Sequence, residues 1–217
     1  ATRAYSRLKQ SEKLDKFPPF AIDRQGGPAA SLVFARISNR PLNQGVPGLF
    51  SYDAYYGAVR ALTSEATRDL GEEAEWVLGE RAGTPLKLRD GALPTMPGER
   101  LAEDVRRLYL EDYRRTWDAF LKDVRIVRVL DMPKGIATTQ LLASPAESPL
   151  VKLMSAVVRE TTLGKAPPGA QAVAEGLAKG IQKATDAAKE RLGVILPTAR
   201  TSLEVELVDS HFEHLRR

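Results

Sequence analysis

The chain of 217 residues contains no cysteine. That excludes disulfides, thiolate nucleophiles and cysteine-based zinc sites. It is compatible with cytoplasm and periplasm alike. Histidine is nearly absent too: His211 and His214 are the two in the chain. They stand at i,i+3, but a metal centre needs two further ligands, and no motif supplies them. No apolar run is long enough to span a bilayer. The first residues alternate charge and polarity without the apolar core of a signal peptide. Aromatic residues make up only 6% of the chain, so where they cluster is informative.

Charge is not scarce. Charged residues are 28% and hydrophobic ones 43%, and the formal charge is +4. The basic excess sits early: Arg3, Arg7, Lys9, Lys13, Lys16, Arg24, Arg36 and Arg40 stand against Glu12, Asp15 and Asp23. This motivates one alternative function, a basic helical module that binds nucleic acid or another protein. A nucleic-acid domain would more often carry a continuous basic stripe.

Four of the scarce aromatics, Tyr109, Tyr113, Trp117 and Phe120, fall in LAEDVRRLYLEDYRRTWDAFLKDV, residues 101–124. Leu101, Val105, Leu108, Tyr109, Tyr113, Trp117, Phe120, Leu121 and Val124 recur in steps of three and four, the spacing of one helix face. The opposite face offers Glu103–Arg107, Glu111–Arg115 and Asp118–Lys122 as i,i+4 ion pairs, acid first. Pro97-Gly98 reads as a break before this helix. Its length is about 36 Å at 1.5 Å per residue.

Further helices follow from the same rules. Residues 2–15 read as a short charged helix ended by Phe17-Pro18-Pro19-Phe20, because paired prolines cannot continue one. Leu32–Ile37 reads as extended and is expected to pair with Phe20–Asp23 as a hairpin. Pro47-Gly48 reads as a type II turn with Gly at positive φ. Ser51 then caps a helix running toward Leu70. Trp76 anchors its continuation, and residues 80–98 form a Gly/Pro-rich loop. Ile126–Leu130 reads as extended. Asp131 is expected to cap a further helix with Pro133 near its first turn, and Ser148-Pro149 starts another. Residues 164–169 form an irregular linker before an Ala-rich helix at 170–192, and Val205, Val208, Phe212 and Leu215 give a last helical face. Thr201 and Glu204 have capping-box spacing there. The expected fold is mainly α: one compact multi-helix domain, residues 1–217, with at most a few short strands. Both ends fall within helical patterns, so a piece of a larger chain is expected.

No active site is visible. Asp209-Ser210-His211 has the residue types of a hydrolase triad, but helical neighbours point about 100° apart and cannot form the relay. Glu72, Glu73 and Glu75 read as a solvated face instead of paired catalytic carboxylates. Gly164–Gly169 lacks the spacing of a phosphate loop. Gly176 and Gly180 allow a tight helix contact at most. No catalytic, cofactor-binding or metal-ligating residue is assigned, and no enzyme activity is expected. A rival reading, an enzyme whose site is completed by other domains, would require a polar cleft near residues 80–98.

Two stretches together carry a resemblance. Val46-Pro47-Gly48-Leu49-Phe50-Ser51-Tyr52, leading to Glu75-Trp76-Val77-Leu78-Gly79, is one. Leu108-Tyr109-Leu110-Glu111-Asp112-Tyr113-Arg114-Arg115-Thr116-Trp117-Asp118-Ala119-Phe120-Leu121 is the other. With Ser148-Pro149-Leu150, Arg159-Glu160-Thr161 and Val208-Asp209-x-x-Phe212-x-x-Leu215, they resemble the periplasmic region of the IcmF/TssM family, the large inner-membrane subunit of the type VI secretion system. The structural signature residues are Pro47, Gly48, Phe50, Trp76, Tyr113, Trp117 and Phe120. Ser51 departs from the family, which usually has Thr there; both can cap a helix. The resemblance implies a scaffold in the secretion membrane complex, on the periplasmic side of the inner membrane of a Gram-negative bacterium. Its implied partners are the TssJ lipoprotein, TssL and further copies of itself, without nucleic acid and without a cofactor. The family's nucleotide-binding motif belongs to a cytoplasmic part outside this chain, and TssJ binding is assigned to no residue here.

Overall fold

A computed structural model describes residues 1–63, 65, 97–144, 147–167 and 202–217. Trp76, the acidic residues at 72–75, most of the 80–98 loop, the helix expected at 170–192 and Thr201 lie outside the described residues. The fold is mainly α, as expected. Helix α1 is Thr2–Lys9, followed by a 3-10 turn at Glu12–Leu14. Short helices α2 (Ile22–Gly26) and α3 (Ala30–Val33) lead into strand β1 (Phe34–Arg36). Helix α4 begins at Tyr52–Ala54 and widens at once into a π turn, Tyr55–Val59. Helix α5, Pro97–Asp123, has 27 residues, and strand β2 (Val124–Ile126) follows directly. Helices α6 (Met132–Ala143) and α7 (Pro149–Glu160) come next. A second π turn, Val205–Asp209, and a 3-10 turn, Glu213–Leu215, complete the order.

Local chemistry explains several boundaries. Pro97 starts α5 instead of preceding it: its missing N–H is no loss in a first turn, where that donor has no helical partner. Ser51 caps α4 by accepting from Ala54 N at 3.1 Å, and Ser148 caps α7 by accepting from Val151 N at 3.5 Å. Asp131 stands at the N-cap of α6 without a side-chain capping bond.

Strand pairing differs from expectation. β1 pairs antiparallel with β2, Phe34 opposite Ile126 and Arg36 opposite Val124. Phe20 instead exchanges two 2.9 Å hydrogen bonds with Val46. A local hairpin between 20–23 and 32–37 therefore does not form. The end of α5 carries β2 alongside β1, while Pro18-Pro19 leads Phe20 against the 45–48 segment. Periodicity marks extended residues but not their partners.

Gly48 is also needed for a different reason than expected. Among the described residues, Gly27 is the glycine with positive φ, at 74°. Gly48 begins the 3-10 turn Gly48–Phe50, so Pro47-Gly48 is not a type II turn. A Cβ on Gly48 would lie 1.9 Å from the Phe17 carbonyl oxygen, and one on Gly45 would lie 1.7 Å from that of Phe20. The two segments approach backbone to backbone, and only glycine leaves room.

The core surrounds α5. Val105, Tyr109, Leu110, Tyr113, Trp117 and Phe120 are buried there, with Leu8, Ile22, Phe50, Tyr55, Val157, Val208 and Phe212 from surrounding elements. Leu110 joins them although it lies off the expected stripe. At about 1.5–3 kcal/mol per fully buried large apolar side chain, this cluster is the main source of cohesion.

Candidate functional site

Tyr109, Tyr113 and Trp117 are spaced by four, so they stack along one line of α5. Each is fully buried and carries one polar atom, which needs a partner out of water. Each donates to a backbone carbonyl. Tyr109 Oη donates to Leu49 O at 2.8 Å, Tyr113 Oη to Glu160 O at 2.7 Å, and Trp117 Nε1 to Phe50 O at 2.9 Å. The ridge thus holds the 48–50 turn and the end of α7 against the central helix.

The rings pack on one another as well. Phe20 meets Trp117 edge-on at 4.8 Å and Phe120 at 5.6 Å, while Phe50 sits 5.7 Å from Tyr109 and 6.2 Å from Tyr113. Of the seven signature residues, Gly48, Phe50, Tyr113, Trp117 and Phe120 gather here. Pro47 lies at the rim, where its carbonyl accepts from Phe50 N at 2.8 Å. Trp76 lies outside the described residues.

Carboxylates brace this ridge. Glu160 accepts from Tyr52 N at 2.6 Å, capping the start of α4, and burial holds its pKa above the ordinary range. Tyr55 Oη donates to Glu204, which joins the two π turns, and Arg106 lies 4.0 Å from the same carboxylate. Arg106 Nε is buried without a hydrogen-bond partner among the described residues. Asp209 accepts from Leu163 N at 2.7 Å and Gly164 N at 3.0 Å, which pins the start of the expected linker; burial raises its pKa too. Asp112 accepts from Tyr5 Oη at 2.6 Å and from Lys9 at 3.3 Å, joining α1 to α5. Burial opposes its charge, but the Tyr5 hydroxyl and Lys9 outweigh that and lower the pKa. Asp123 accepts from the Ser38 hydroxyl, Ser38 N and Arg36 Nε. Led by the Ser38 hydroxyl, these hold it at about 2.

Such a site fastens segments together. Burial pushes Tyr109 and Tyr113 well above the usual phenol range, so they act as fixed donors and not as proton carriers. The Asp209-Ser210-His211 triplet does not converge: Asp209 faces residues 163–164, Ser210 bonds Val205 O, and His211 Nε2 reaches Asp118 at 2.9 Å. Among the described residues, no group of three or more His, Asp or Glu could hold a metal ion, and no helix is long and apolar enough to cross a membrane. Of the expected ion pairs on α5, Asp118–Lys122 closes at 4.0 Å, whereas Arg115 turns to Asp112 at 2.7 Å. Sequence reasoning placed the aromatics on one face but missed the tie to Phe20, the Tyr55–Glu204 contact and the role of Asp123. The available signal was the polar tip on three successive i,i+4 aromatics.

Fold and site define a class: a mainly α domain closed around an aromatic ridge whose polar tips bind backbone carbonyls. The chain belongs to the IcmF-related family, described as intracellular multiplication and human macrophage-killing, whose pattern it matches over residues 1–162. It is also similar to the type VI secretion system component TssM1 of Pseudomonas aeruginosa, with 35% identity over 196 residues. That alignment covers 90% of this chain but 16% of TssM1, so the chain spans a small part of its relative's length. No solved structure matches the chain.

Proposed function

We propose that this chain is a structural, non-catalytic region of a type VI secretion membrane-complex subunit, lying on the periplasmic side of the inner membrane. The similarity to TssM1 along 90% of the chain carries this reading. The interior agrees with it: the ridge side chains fill the core and fasten the 48–50 turn and the end of α7 to α5, and their polar atoms are engaged by backbone. In this reading α5 stiffens a spacer that transmits force across the periplasm. Within the full-length protein the partners are TssL, the TssJ lipoprotein and further copies of the chain.

An in-frame deletion of this region from the full-length gene tests the role. Secretion and assembly of the membrane complex are expected to fail, and unimpaired assembly would overturn the reading. Trp117→Ala supplies a milder version and should lower melting temperature and secretion together; a stable variant with full secretion would remove the stiffening role. Protease accessibility in spheroplasts tests the compartment, and protection of this region there would place it on the cytoplasmic side.

A further inference from the structure

Helix α6 has no buried residue along its 12 positions. Met132 is 77% exposed, Ile136 54% and the preceding Leu130 88%. Between α6 and the extended residues 127–130 runs a groove of about 590 Å³, with Val127, Val129 and Leu130 on one wall, Ala137 and Leu141 on the other, and Leu32 also lining it.

Two features narrow what fits it. The first is backbone. Val127 N still donates to Val33 O at 2.7 Å, extending the β1–β2 pairing by one step. Beyond it, the N–H groups of Arg128, Val129 and Leu130 have no backbone acceptor among the described residues. An extended stretch with open donors and acceptors is a template for an added strand. The second is charge. Arg128 and Lys134 line the groove against one carboxylate, Asp131, which lies 3.9 Å from Lys134. Arg128 itself forms no ion pair among the described residues.

We propose that this groove takes an extended acidic polypeptide segment as an added strand beside residues 128–130. Alternate apolar side chains enter against Val127, Val129 and Leu141, and the carboxylates between them fall on the side of Arg128, within the field of Arg128 and Lys134. A bilayer fits less well, since it offers no directional row of acceptors to a concave backbone edge. The proposal rests on this face alone and not on the secretion role.

Fluorescence anisotropy with the 217-residue chain and a labelled decapeptide of alternating Glu and Val tests it. The Glu–Val peptide should bind, weaken as salt rises, and bind more tightly than a Lys–Val peptide of the same pattern. Arg128→Glu combined with Lys134→Glu should weaken it by about tenfold or more, as should Leu130→Asp, with circular-dichroism melting unchanged because these side chains are exposed. N-methylation of alternate peptide amides should abolish binding. Equal binding of the N-methylated peptide, equal binding of both charge patterns, or no binding of either overturns the proposal. Binding to phosphatidylglycerol vesicles without binding the peptide overturns it in favour of a membrane surface.

Discussion

Helices α5 and α6 belong to the same domain and follow the same local rules, yet they stand at opposite extremes of burial. α5 has 27 residues and sinks Val105, Tyr109, Leu110, Tyr113, Trp117 and Phe120 into the core. α6 has 12 residues, one charged side chain in Lys134, and none of them buried. By hydropathy alone α6 is the more apolar helix. Burial follows from the pattern: α5 concentrates its large side chains on one stripe and gives their polar tips carbonyls to bind, whereas α6 spreads Met132, Ile136 and Leu141 over a wider arc. An apolar average does not locate the core; a one-sided pattern with satisfied polar atoms does.

That contrast can be broken at several points. Trp117→Ala should have the largest effect, about 3–5 kcal/mol, because it removes a fully buried indole and leaves the Phe50 carbonyl unpaired. Urea unfolding measures it, and a loss under 1 kcal/mol would contradict the central place given to the ridge. Gly48→Ala should cost about 1–3 kcal/mol or more, since its Cβ would press on the Phe17 carbonyl and the backbone must move. A neutral outcome in thermal melting would mean the 17–20 and 45–48 segments separate easily. Tyr113→Phe keeps the ring and removes the bond to Glu160 O, so about 1–2 kcal/mol should be lost.

The acid response isolates one smaller tie. Asp123 is held at about 2, below an unfolded carboxylate near 3.9. A lowered carboxylate stabilises the fold above its unfolded value and loses that contribution as pH falls through the folded value. Asp123→Asn should therefore be less stable than the wild type at pH 5 and approach it near pH 2. Parallel stability curves would remove Asp123 from the account. Smallest of all, Ile136→Ser on α6 should change stability by no more than about 0.5 kcal/mol, because half of that side chain already meets water. A large loss there would show that α6 is anchored through Ile136 as well as through Leu141 and Leu142.

Much of the fold was legible in advance where the signal was local. The stripe on α5, the cap at Ser51, the helix start at Ser148-Pro149 and the mainly α class all depend on residues within one or two turns of each other. The partners of β1 were not legible, since β1 is 34–36 and its mate is 124–126, and strand periodicity carries no address. Gly48 was singled out correctly as a turn residue but for the wrong cause. A positive φ can be guessed from a Pro-Gly pair; the approach of the Phe17 carbonyl, far upstream in sequence, cannot.

The sequence by itself determined that there would be a long one-faced helix, that its aromatics would form a single line, and that cysteine chemistry is absent. Those depend on spacing and composition, which are properties of the chain alone. Only the tertiary structure decided what the line holds. Tyr109, Tyr113 and Trp117 reach Leu49, Glu160 and Phe50 because desolvated donors must find acceptors, and the acceptors come from segments 47–67 residues away. It also decided that α6 leaves Met132 and Ile136 in water while Leu141 and Leu142 rest against the core, since whether an apolar face is buried depends on what the rest of the chain brings to it.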